Sequence, residues 1–344
     1  MKFLVKIFFI LLIASSCDKS NKYSEGHFPD DVVNFEAVNS SADDYNMDLP
    51  VIHGEHMFHF SSNRGDVNHY DIVGKNLILQ WDYAAEHLTI DINKARGTSL
   101  PMRSLFDSVN TFCNELGPYS FTYETEVNNN TKLTYLFLYA NDCAGNFDIK
   151  FTYVDPTESS QVAAASPIGL AMVNTEANEL YPAFFGKDFK WESRYITRPA
   201  SVEKLVYCSD KDGVYDFYQI DMTIDDPIVS LSSAEAIAPE KLSISSAEGN
   251  DKCAFINGRL MVFTSDRPGG YGGFDLYYSL YEGNAWSEPV NFGERINTEF
   301  DEYRPVILTY DTGFDNNLLL FSSNRPGGKG GFDLYYVGVE KMIN

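Results

Sequence analysis

Apolar and polar positions along this chain fall into short, strand-length runs, and the clearest set occurs twice near the carboxyl end. Phe263-Thr264-Ser265-Asp266-Arg267-Pro268-Gly269-Gly270-Tyr271-Gly272-Gly273-Phe274-Asp275-Leu276-Tyr277-Tyr278 returns as Phe321-Ser322-Ser323-Asn324-Arg325-Pro326-Gly327-Gly328-Lys329-Gly330-Gly331-Phe332-Asp333-Leu334-Tyr335-Tyr336. An aromatic-rich run, a polar Gly/Pro turn and a second aromatic run read as two strands joined by a tight loop. Weaker copies lead to Tyr70-Asp71, Phe147-Asp148 and Tyr215-Asp216, so the aromatic-Asp step falls at 71, 148, 216, 275 and 333. Self-similarity at a long period is the mark of a repeat fold.

A second pattern marks the joints between repeats. Ile296-Asn297-Thr298-Glu299-Phe300-Asp301-Glu302-Tyr303-Arg304-Pro305 aligns without a gap with Val173 to Pro182 and with Val109 to Pro118. Ile244-Ser245-Ser246 through Cys253 is a degenerate copy, and Val38-Asn39-Ser40 through Pro50 is another. Each repeat therefore reads as four strands. In the fourth repeat these are Ala254–Ile256, a turn at Asn257-Gly258, Arg259–Thr264, Asp275–Leu280, and a last strand near Pro289–Phe292. The chain starts with a copy of that last strand, Val33-Asn34-Phe35, and ends soon after a third strand. The first strand can complete the final repeat, closing a ring with no open edge. The predicted fold is all-β: a five-bladed β-propeller over residues 29–344. A sixth blade within 73–108 is the alternative, because Leu88-Thr89-Ile90-Asp91-Ile92 alternates like a strand; an insertion on the first blade is preferred.

The loop and joint motifs resemble the TolB-type, WD-like propeller repeat, over nearly all of the chain beyond residue 28. The Asn/Asp-Arg-Pro-Gly-Gly…Gly-Phe-Asp-Leu-Tyr form looks most like repeats in cell-envelope proteins of Bacteroidota. The resemblance implies a rigid binding platform and no single chemistry.

The amino end has its own pattern. A basic Met1-Lys2 start, an apolar run from Phe3 to Ile13 broken by Lys6, and Ala14-Ser15-Ser16-Cys17 read as a secretory signal over 1–16. The segment resembles a lipoprotein signal, which implies lipidation of Cys17 and anchoring by acyl chains alone. Residues 17–28 read as a tether. Asp18 followed by Lys19 leaves periplasmic and surface exposure of an outer-membrane lipoprotein both open.

The formal charge of −23 disfavours nucleic acid, whose binding rests on neutralising phosphate with Lys and Arg. Strand direction puts the joints and the Arg-Pro-Gly-Gly loops on one face, with Arg64, Arg267, Arg325, Glu115, Glu179 and Glu302. These six form the candidate partner face. In an architectural reading of the same residues, the arginines pair with joint acids between blades, and Asp275 and Asp333 bond loop amides. The glycine-rich loop lacks the Lys-Ser/Thr ending of a phosphate cradle. Asp210-Lys211-Asp212-Gly213 with Asp216 has three carboxylates but not a full calcium loop. His53 and His56 straddle a turn where two histidines could meet a metal, and a chance cluster is the preferred reading. No cofactor and no metal are expected. All six histidines precede residue 88, so any Ser-His-Asp set draws its base from that region, and no Gly-x-Ser-x-Gly elbow occurs.

Cys113 and Cys143 fall in the joint and loop of one blade and are expected to lie close enough to bridge. Cys208 and Cys253 read as buried thiols. The function expected from these features is a non-enzymatic envelope lipoprotein that binds a protein partner through one propeller face. The alternative is a carbohydrate-binding or glycoside-cleaving surface protein, motivated by Trp81, Trp191, Trp286 and the many tyrosines. Paired carboxylates for glycoside cleavage stay open in so acidic a chain.

Overall fold

In the last two repeats the second strand is apolar on both sides along most of its length, so neighbouring sheets must cover both faces. Leu318-Leu319-Leu320-Phe321 has no exposed surface at all. The computed structural model describes residues 25–52, 55–93, 100–127, 130–155, 163–190, 202–222, 226–235, 237–309 and 313–342. It holds five blades of four strands, from inner to outer. Blade one is Asp44–Asp48, Glu55–Ser62, Asp71–Asp82 and His87–Ile92. Blade two is Glu115–Val127, Asn130–Asn141, Asp148–Val154 and Ile168–Gly169. Blade three is Glu179–Phe185, Lys204–Ser209, Asp216–Asp221 and Glu240–Lys241. Blade four is Asp251–Asn257, Leu260–Ser265, Asp275–Glu282 and Val290–Asn291. Blade five takes Glu302–Leu308, Asn317–Ser323 and Asp333–Val339 from the carboxyl end, and Val33–Asn34 from the amino end.

That last pairing closes the ring, with Val33 opposite Tyr336 and Asn34 opposite Tyr335. The residues just before it add to the closure. Phe28 is fully buried, stacks on Phe314 with ring centroids 4.1 Å apart, and exchanges two hydrogen bonds with the Asn316 amide. Gly26 lies so close to Phe314 and Trp81 that a Cβ there would sit 2.6 Å from the Phe314 ring. Gly26–Phe28, at the end of the compositional tether, are thus packed against the base of blade five.

The stretch that offered a sixth blade supplies the outer strand of blade one, with Leu79 opposite Ile90. After it comes a helix, Leu100–Val109, inserted before the next joint. Met102, Leu105, Phe106 and Val109 are buried, the i, i+3, i+4, i+7 face of an amphipathic helix. Phe106 reaches Gly74 of blade one, where any Cβ would lie 2.2 Å from the ring.

The joint asparagine explains why the motif recurs. Asn39, Asn110, Asn174 and Asn297 each accept from the backbone N–H of the residue after the third-strand aspartate. Each also donates to the carbonyl of that same residue. The amide thereby imitates a strand neighbour where the short outer strand has run out. In the degenerate joint Ser245 makes only the first of these bonds, to Phe217 N–H.

Every inner strand carries a bulge at its third residue, with positive φ at Asn46, Gly117, Tyr181, Cys253 and Arg304. The bulge re-aims the strand around the propeller axis.

Candidate functional site

The loop face is framed by five copies of one polar clamp. Each inner strand opens with a fully buried acid: Asp44, Glu115, Glu179, Asp251 or Glu302. Each acid accepts from a backbone N–H, at Ser40, Thr111, Thr175, Ser246 or Thr298. In three blades an arginine completes the clamp: Arg64 with Asp44 at 2.5 Å, Arg267 with Asp251 at 2.7 Å, and Arg325 with Glu302 at 2.9 Å. The same guanidinium groups donate to the joint carbonyls of Val38, Ile244 and Ile296.

The pairs therefore form within one blade and tie it to its own joint; the expected blade-to-blade pairing is not what the arginines do. Asp44 and Asp251, two of the three partners, were not among the singled-out acids, although both align with Glu302 in the joint motif. The blades are linked instead by a neighbouring polar position. Asp43, Asn114, Asn178, Asn250 and Asp301 each accept from the N–H of the aromatic residue that precedes the third strand of the blade before. Each also donates its own backbone N–H to the side-chain oxygen of an Asn or Asp in its own blade's loop, and in blades two to five an Asn amide of the pair donates to the Asp carboxylate. Asp275 and Asp333 accept loop amides at Gly272 and Gly330. Those two glycines press on the next joint, where a Cβ would meet Thr298 O at 2.3 Å and Ala42 O at 1.9 Å.

The six residues of the candidate partner face are mostly buried beneath it. Glu115, Glu179 and Glu302 are wholly inside, and the Arg64, Arg267 and Arg325 side chains are 25%, 15% and 14% exposed. They hold the face in shape.

Blades two and three depart from the arginine form. Cys143 stands at the arginine position of blade two and is bonded to Cys113, with Cα atoms 5.5 Å apart. A covalent joint-to-loop link replaces the ion pair. Glu115 beneath it has no arginine, and burial pushes its carboxyl up to about 7 against the lowering effect of the Thr111 bonds. Lys211 takes the arginine position of blade three, but its ammonium turns to the Tyr218 ring, 3.7 Å from the centroid. Glu179 then receives the Ser209 hydroxyl, and its carboxyl is raised by burial.

What the face presents is apolar at its rim and aromatic at its centre. Val67, Phe112, Val214 and Tyr271 are 79%, 87%, 37% and 49% exposed, all on joints or loops of this face and in four successive blades. Toward the axis from this rim lies a cluster of partly buried rings, here termed the bowl. Tyr45 packs on Tyr70 at 4.9 Å and on Phe332 at 5.6 Å, and Tyr303 on Phe274 at 5.3 Å.

Below the bowl the axis is plugged. Arg304 is fully buried, and its guanidinium donates to Met47 O, Pro118 O and Ala254 O, on three other blades. Burial pushes the Asp48 carboxyl up to about 7, with the Arg304 charge acting the other way. Asp48, His59 and Ser120 do meet between blades one and two. Asp48 accepts the Ser120 backbone N–H at 2.9 Å, and His59 Nδ1 lies 3.4 Å from Ser120 Oγ. All three are buried, and His59 is pushed down to about 3 by desolvation. The carboxylate holds a main-chain amide and does not orient the imidazole, so this grouping lacks the geometry of a catalytic triad.

The other sequence candidates are accounted for by packing. Asp210 binds Asn178, Asp212 takes the Tyr218 hydroxyl and Asp216 meets Lys241, so the three carboxylates of the calcium-like stretch have separate partners. His56 pairs in register with Val51, and His53 lies outside the described residues. Trp286 is buried against Phe185 and Tyr281, and Trp81 packs on Phe314; Trp191 lies outside the described residues. Cys208 and Cys253 are free and buried.

No family model and no curated protein matches this chain. Solved structures do. The α-L-arabinofuranosidase PaAbf62A from Podospora anserina is 12% identical, with a TM-score of 0.48 over 91% of this chain and 96% of its own. The exo-β-1,3-galactanase 1,3Gal43A from Clostridium thermocellum is 12% identical, with a TM-score of 0.50 over 91% of this chain and 63% of its own. A putative TolB from Agrobacterium tumefaciens is also 12% identical, with a TM-score of 0.36 over 87% and 79%. At identities this low the likeness bears on the fold alone and carries no activity across.

Proposed function

We propose that this protein is a non-catalytic binding platform of the cell envelope that engages a protein partner through its loop face. The observation that carries the reading is the rim of exposed apolar side chains, Val67, Phe112, Val214 and Tyr271, mounted on loops that five buried clamps keep rigid. Of the eight large apolar side chains exposed among the described residues, four belong to this one face. Exposed side chains on loops held by a rigid scaffold are where binding residues commonly sit. The buried acids that open the inner strands are engaged in the clamps and are not a free pair of carboxylates for glycoside cleavage.

The TolB-type, Bacteroidota-like repeat and the lipidated Cys17 belong to the same proposal. The packed chain begins at Gly26, beside the turn at Phe314, on the side opposite the loop face. Residues 18–25 reach at most about 30 Å when extended. An anchor at Cys17 would therefore hold the base of the propeller toward the lipid and leave the loop face free.

A glycan is the second reading, favoured by the aromatic bowl at Tyr45, Tyr70, Phe274, Tyr303 and Phe332. Purification from gently solubilised membranes, with the doubly substituted F112S/Y271S chain alongside, separates the two. A stoichiometric protein that is lost with the substitutions supports the platform. A chain that emerges alone, yet is retarded on polysaccharide gels, overturns it in favour of the glycan.

A further inference from the structure

We infer that the segment received by the loop face combines apolar with basic side chains, an inference that rests on reading that face as the partner site. Arg64, Arg267 and Arg325 are turned inward onto Asp44, Asp251 and Glu302. Arg304 is sealed in the axis. The Lys252 ammonium lies 3.9 Å from the Tyr215 ring centroid and 5.3 Å from that of Phe274. Lys211 covers Tyr218, and Lys329 donates to the Glu36 carbonyl. Each of these cations thus contacts a group of its own loops or axis.

The negative charge is divided differently. One set of acids is buried in the clamps, and a second set points out. Glu176, Glu248 and Glu299 are exposed on the same joints and loops that carry the apolar rim, and Asp66, also exposed there, already accepts from Asn68 and faces His69. Glu176 and Glu299 follow the joint threonine, the position that Phe112 fills in blade two. Apolar and acidic tips therefore alternate around the bowl, on a chain whose net charge is −23. A neutral or acidic surface docking here would leave those carboxylates unpaired or opposed. A basic one is drawn in by the field and meets them at the rim. An apolar core within a charged rim is also the ordinary anatomy of a protein interface.

The test uses three fluorescent synthetic peptides of equal length: one alternating Lys with Leu and Phe, one with Glu for each Lys, and one with Ser for each apolar residue. Fluorescence anisotropy with the full mature chain should show binding of the first, at least about tenfold weaker binding of the other two, and a marked loss on raising the salt. E176K/E299K should weaken the first peptide about tenfold, whereas E282K, an equal change per site on the opposite face, leaves it unaltered. Equal binding of all three peptides, or equal effects of the substitutions on the two faces, would overturn the inference. Benzophenone side chains placed at 112 and 271 separate its failure from failure of the platform reading. A trapped segment that is acidic or uncharged sinks only the charge inference, and trapping solely from position 229, on the opposite side, sinks both.

Discussion

Replacing Asn297 with alanine tests whether the joint asparagine acts as a surrogate strand. Its side chain is 1% exposed, accepts from Leu276 N–H at 2.8 Å, and donates to Leu276 O at 3.0 Å and Asn291 Oδ1 at 2.8 Å. In the alanine variant the buried Leu276 N–H has no acceptor, which costs about 1–3 kcal/mol, and the two hydrogen bonds that the Asn297 amide donates, worth about 1 kcal/mol each, are lost. The Leu276 carbonyl keeps the Phe292 N–H at 3.1 Å and Asn291 Oδ1 keeps the Gly293 N–H, so the full cost of an orphaned acceptor is not added. The expected loss is about 3–5 kcal/mol. It should appear in urea unfolding as a lower midpoint with an unchanged slope. Asn297→Ser should lose about half as much, because Ser245 already makes the N–H bond alone at 3.0 Å. Ser245→Asn should conversely gain stability. A change below about 0.5 kcal/mol in Asn297→Ala, the range of ordinary surface substitutions, would refute the reasoning.

Arg267→Ala strands the buried Asp251 carboxylate and should cost about 3–5 kcal/mol, whereas R267M with D251L should cost much less; equal losses in thermal or urea unfolding would argue against a desolvated pair. Removing the Cys113–Cys143 bridge, which spans 30 residues, should cost about 3–4 kcal/mol by loop entropy. C143R with C113A should recover part of that, because the new guanidinium would reach Glu115; no recovery in the urea midpoint would show that blade two cannot accept the arginine clamp. Glu115 holds its proton in the folded chain up to about pH 7, against an ordinary value of 4.5. The folded state therefore binds the extra proton between those values, and this contribution to stability falls as pH rises through that window. Measured against the parent, Glu115→Gln should gain stability from pH 4.5 to pH 8; a difference that does not change with pH would contradict the buried, cation-free carboxyl.

The fold was legible because the repeat encodes its own hydrogen-bond partners. Asn297, Asp301 and Glu302 bind fixed positions in the neighbouring strand and loop, so their spacing is copied from blade to blade. The ring closure was legible for the same reason, since Val33-Asn34 repeats Val290-Asn291. The helix at Leu100–Val109 lies outside the repeat, so no other blade copies it, although Met102, Leu105, Phe106 and Val109 spell its buried face. The role of the arginines was half visible. Charge and loop position marked Arg64, Arg267 and Arg325, but their exposure depends on burial of the first residue of each inner strand, which only packing reveals. Arg304 carried no signal beyond its place before Pro305, because its three carbonyl partners come from three different blades. Phe112 escaped notice for the opposite reason: an exposed aromatic residue in a joint looks like core until the sheet is built.

The most direct measurement of the central claim is photo-crosslinking in cells that make the native protein, with benzophenone side chains placed singly at 112, 271 and 229. A discrete protein adduct shared by 112 and 271 and absent from 229 is the expected result. Adducts from 229 alone, or none from either loop position while the chain is retained by polysaccharide, would contradict the loop face as a protein-binding platform.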